Sequence, residues 1–146
     1  MGDFFAFLKS THYILMIILL AGLIFTTGKF YLNAINKQPF ELFEKRQSLF
    51  FLALAHLQLI IGLILLFGVY GSAFSDMGSV MKNSEVRFTM IEHPLTMIIG
   101  IVLITIGYAL AKRKKSDAKK FKTIAIYYGI ALLVILLRIP WSQLHG

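Results

Sequence analysis

The chain has 146 residues, 58% of them hydrophobic, a formal net charge of +8 and no cysteine. Its apolar residues run in four long blocks instead of alternating, which excludes a soluble enzyme and a membrane barrel of alternating strands about ten residues long. Without cysteine, disulfides, iron–sulfur ligation and thiol catalysis are excluded, so any metal chemistry falls to His, Met, Asp or Glu.

A hydrocarbon core of about 30 Å takes roughly 20 helical residues. The blocks at approximately 12–32, 48–70, 94–111 and 121–139 are of that order. The expected fold is an all-α membrane protein, a single four-helix transmembrane domain over residues 1–146 in up-down-up-down order. Only Lys9 is a cation before the first block, which runs past a typical signal h-region and lacks a small-residue cleavage site, so it reads as a retained helix.

Charge sets the orientation. Lys29, Lys37, Lys45 and Arg46 flank the first connection, and "KRKKSDAKK" at 112–120 forms the third. The opposite end carries only Lys9, Lys82, Arg87 and Arg138. The positive-inside rule therefore makes 112–120 a basic cytoplasmic loop and places both termini and the 71–92 loop outside. The basic charge is topological, split among short loops, which argues against nucleic acid as a partner. The same loop suits anionic headgroups, at about 1 kcal/mol per basic residue near the surface. The 71–92 connection is too long for a tight turn and rich in Gly, Ser and Met; a lid over the outer mouth and a flexible loop both fit.

Histidines carry the chemistry. His12 opens helix one, His56 lies inside helix two, His93 opens helix three, and His145 sits in the tail as an incidental residue. Ionisable groups in membrane segments are costly and usually face the bundle interior, where a hydrogen-bonded structural histidine is the plain alternative to a ligand. Helices one and three are diagonal partners, so His12 and His93 meet at one height, the geometry a haem iron needs between two imidazoles. The His93 face continues through Met97, Gly100, Ile104, Gly107 and Ala111; Gly100 and Gly107 leave room for a macrocycle or let helices approach closely. The His12 face runs through Leu19, Gly22 and Thr26.

Arg138, at the end of helix four before "IPW", is the best cation for haem propionates and also fits an interfacial anchor, with Arg87 and Lys9 nearby in topology. Glu92 is a candidate acceptor for the second ring N–H of His93 or His12. His56 lies too deep to share an iron with His93 unless helices two and three are further offset, in which case that pair returns; at its level Tyr127 and Tyr128 are candidates to hydrogen-bond it or to serve a second haem, whereas Gln58 points away as a helix contact. Met77, Met81, Met90 and Met97 around His93 offer copper(I) as the alternative metal.

At "HLQLIIGLILLF", 56–67, and "VRFTMIEHPLTMIIGIVLITIG", 86–107, together with "STHYILMIILL" and "IPW", the chain resembles small bacterial four-helix membrane proteins labelled cytochrome b-like. More distantly it is similar to one half of haem A synthase, whose bundles hold haem between paired membrane histidines; the repeated second half is absent here. The resemblance implies His12, His56 and His93 as the residues to suspect. The expected function is a haem b protein, with one haem or two, in electron transfer at the bacterial inner membrane. Its partners would be the lipid bilayer, a quinone pool or redox protein, and a second copy in a homodimer. The alternatives are an accessory subunit of a membrane complex and a copper or haem-precursor handling protein.

Overall fold

Long runs of Leu, Ile, Phe and Val satisfy their backbone polar groups only as helices in lipid, and in the computed structural model, which describes residues 2–144, every apolar block is helical. Four helices are long and apolar enough to cross a membrane: α1 (Gly2–Ile35), α2 (Leu42–Tyr70), α5 (His93–Arg113) and α6 (Asp117–Leu137). Between α2 and α5 stand α3 (Met77–Lys82) and α4 (Ser84–Arg87), and α7 (Trp141–Leu144) closes the described chain. No strand occurs among the described residues.

Each helix meets its neighbours in order, α1 with α2, α2 with α5, α5 with α6 and α6 with α1. This closes an up-down-up-down square with α1 diagonal to α5. Tyr13, Phe25, Leu133 and Leu137 project outward, as lipid-facing side chains do, while Leu23, Phe30, Ile104, Phe121 and Tyr128 fill the interior. At the basic-loop end Phe30, Phe40 and Phe121 stack edge to face with ring centres 4.9 to 6.0 Å apart. Two polar pairs cross between helices inside the bundle: Tyr128 Oη donates to the Ser48 carbonyl at 2.7 Å, and Gln47 Nε2 to Thr26 Oγ1 at 2.9 Å.

Helix limits differ from the hydropathy limits. α1 starts at Gly2 instead of 12 and α2 at Leu42 instead of 48, because hydropathy marks only the lipid-facing part whereas hydrogen bonding continues into the interface. A reciprocal capping box of Glu41 and Glu44 starts α2. Ser116 caps α6 by accepting from Lys119 N at 3.2 Å, and α6 ends at Leu137, short of 139, since Pro140 disfavours helix at the residue before it.

The 71–92 connection is folded, not a flexible loop. A 3₁₀ turn (Gly71–Asp76), α3, α4 and a π turn (Phe88–Glu92) follow one another. Asp76 and Asn83 cap α3 and α4, Asn83 Oδ1 accepting from both Glu85 N and Val86 N at 3.1 Å. Val80 and Met90 pack with Leu66 of α2 in a small core of their own.

Glycines set the closest approach of α5 and α6. A Cβ at Gly100 would sit 2.7 Å from Ile135 Cγ1, and one at Gly107 would overlap the Tyr127 side chain. These two positions therefore serve helix packing, the second of the two roles open from sequence. Gly107→Leu should destabilise the bundle by about 1–3 kcal/mol, the usual range for overpacking, seen as a lower thermal midpoint in detergent at unchanged helix content.

Candidate functional site

Pro94 shapes the start of α5. It lacks an N–H and its ring clashes with the carbonyl four residues back, and immediately before it the backbone widens into the π turn, in which the His93 N–H donates to the Phe88 carbonyl. The bulge rotates His93 relative to the preceding residues, a device frequent at functional sites. Its ring turns into the bundle toward α1.

There it meets His12. The two imidazole rings lie 6.4 Å apart between centres and at 87° to one another. Two imidazoles bound on opposite sides of one metal, each at a metal–nitrogen distance of about 2.0–2.1 Å, have ring centres roughly 6 Å apart. Both rings line a cavity of about 750 Å³ in the half of the bundle that carries the termini. Its wall is mostly apolar and includes Gly62, Leu59, Met97 and Ile101, with Gln58 and Lys9 as further polar groups.

The tautomer of His93 follows from its partner. Nδ1–H donates to the Arg138 carbonyl at 2.7 Å; a carbonyl only accepts, so in the neutral ring the lone pair sits on Nε2. That carbonyl is held by a clamp around Glu92, whose Oε2 accepts from Arg87 Nε at 3.0 Å and whose Oε1 pairs with Arg138 Nε at 3.5 Å. Arg87 Nη1 also donates to the Met81 carbonyl at 2.7 Å, tying α3 into the same clamp. Glu92 thus takes two guanidinium groups rather than an imidazole N–H, and it acts on His93 only by placing the end of α6.

The other expected residues fall as follows. Arg138 spends its side chain on Glu92 and its backbone on His93, and the cation that lines the cavity is Lys9. Gly100 and Gly107 lie against Ile135 and Tyr127, off the cavity wall. His56 is exposed on the outer face of α2, its Nδ1 bonded to the Leu52 carbonyl at 2.8 Å, apart from Tyr127 and Tyr128. Met77 and Met81 are exposed on α3, and Met90 is buried in the small core, so of the four methionines expected near His93 only Met97 reaches the cavity. His145 lies outside the described residues. The 71–92 segment lines no part of the cavity, so it is not a lid over it.

Three cavity residues escaped the sequence reading as parts of a site. Met16 lines the wall one turn beyond His12, as Met97 does beyond His93, and the shared spacing in "HYILM" and "HPLTM" is the signal that marks them. Gly62 faces the His12 ring, where a Cβ would lie 3.5 Å from Cε1. Gln58, four residues earlier on the same face of α2, donates from Nε2 to the His12 carbonyl at 2.9 Å, the helix contact expected of it but made at the site itself.

Fold and site together define a multi-pass membrane four-helix bundle with a paired-imidazole cavity between its diagonal helices. Compared with protein-family models, with curated proteins and with solved structures, the chain matches none.

Proposed function

We propose that this protein binds haem b between His12 and His93 and carries electrons in a bacterial inner membrane, between a quinol pool and an acceptor outside. The observation that carries the reading is the 6.4 Å spacing of the two rings, which suits opposite faces of one iron. The donor set agrees with it. Two imidazoles alone leave most metal coordination positions empty, whereas a porphyrin brings four nitrogens and asks the protein for two axial ligands. Volume agrees as well: about 750 Å³ lies in the range of cofactor pockets, roughly 300–1,000 Å³.

When bound, the haem supplies one-electron chemistry between ferric and ferrous iron. The chain's own contributions are distinct. His93 is held by the Arg138 carbonyl, which leaves the Nε2 lone pair for a metal, the mostly apolar wall suits a macrocycle, and Lys9 offers a cation to carboxylates. Glu92 keeps Arg138 in register. Resemblance to the cytochrome b-like group points the same way.

A specific observation supports one other reading: Met16 and Met97 add two thioethers to the two imidazoles, a soft set that suits copper(I). The cavity is far larger than a bare ion requires, which favours haem. Purification in mild detergent from haem-replete cells, followed by oxidised and reduced spectra and a pyridine haemochrome assay, separates them. The haem reading expects sharp reduced α and Soret bands at near one haem b per chain; a colourless protein carrying copper supports the other, and a colourless protein carrying no metal favours an accessory subunit.

A further inference from the structure

Gln58 is one of three buried polar or charged side chains in the described chain, at 8% exposure, and it lies in the cavity wall. Its amide nitrogen is anchored on the His12 carbonyl at 2.9 Å. Its Oε1 and the Nδ1 of His12 are both buried and both without a hydrogen-bond partner. The bond from Gln58 to the His12 backbone brings the amide to the residue that carries the ring, on the face of α2 where Gly62 also meets that ring. Two residues already joined by one hydrogen bond thus each keep an unpaired group of opposite need, an acceptor oxygen and a ring nitrogen able to carry a proton, in the same mostly apolar wall. Gly62, one turn along α2, leaves the His12 ring room to turn.

We propose that Gln58 is the positioning residue of His12: Oε1 accepts the Nδ1–H of the ring, which fixes the tautomer that offers Nε2 to the iron. This rests on the haem reading above. It makes the two histidines equivalent, each donating Nδ1–H to an amide oxygen, the Arg138 backbone carbonyl for His93 and the Gln58 side chain for His12. Such acceptors orient the ring and raise the basicity of the ligating nitrogen. A more basic ligand favours the ferric state and lowers the midpoint potential.

The test uses the haem-loaded full chain as wild type, Gln58→Leu, Gln58→Glu and His12→Ala, with potentiometric titration and haem dissociation measured for each. Gln58→Leu should raise the midpoint potential and weaken haem binding by about tenfold, while the iron stays low-spin. Gln58→Glu, a stronger acceptor, should lower the potential. Both substitutions remove the amide donor to the His12 carbonyl, so a purely structural role would shift both in one direction. Haem retained in wild type and lost in His12→Ala, with no rise in Gln58→Leu, overturns this proposal alone. A wild-type chain that takes up no haem overturns it together with the reading on which it rests.

Discussion

Replacing His93 by alanine should convert a low-spin, six-coordinate haem spectrum into a high-spin one and lower haem retention by at least about tenfold. His12→Ala should do the same, because the two rings lie 6.4 Å apart and no third imidazole lines the cavity. The double variant should be colourless. His56→Ala should leave the spectrum unchanged, since that ring lies on the outer face of α2 and bonds its own helix. Absorption spectra of the four purified proteins, at matched helix content, check all of this at once.

The second large effect is expected at Gly62. A Cβ there already stands 3.5 Å from the His12 ring, so Gly62→Leu places three further carbons where the imidazole and its ligand belong. Haem occupancy should fall by an order of magnitude or more, on the scale of losing a ligand-supporting contact. The fold should persist, because the added side chain fills a cavity instead of entering a packed core. Haem-to-protein ratio after purification measures the first effect, and circular dichroism on heating measures the second. Gly107→Leu is the converse case, with stability lost through packing against Tyr127.

The architecture was legible from the sequence because lipid imposes it: four apolar runs of spanning length have only helices open to them. Packing of each helix against the next in chain order then makes the first and third membrane helices diagonal, and that is what brings His12 to His93. The π turn was not legible, since it depends on how the backbone accommodates Pro94 after a folded segment that hydropathy shows only as polar. The cost of an ionisable side chain in lipid points His56 to the interior. The buried positions Leu54, Ala55, Gln58 and Ile61 instead set the phase of α2 and turn His56 outward, where the Leu52 carbonyl takes its ring nitrogen and reduces the cost.

Glu92 shows a different limit. Its neighbours in space, Arg87 and Arg138, come from the folded 71–92 segment and from the far end of α6. The Arg138 contact depends on the register between helices, which periodicity within one helix does not contain, and the Arg87 contact on the π turn that separates it from Glu92. Gln58 was readable as a helix contact but not as part of the site, for the same reason.

The most direct measurement of the central claim is low-temperature electron paramagnetic resonance of the oxidised wild-type protein. Two imidazoles on one iron predict a low-spin ferric signal. With their planes near the 87° seen between the rings, two iron orbitals become nearly equal in energy and the signal becomes strongly anisotropic, dominated by one large g value. A high-spin ferric signal, or a cupric signal in place of iron, would contradict His12 and His93 as the paired ligands of a haem.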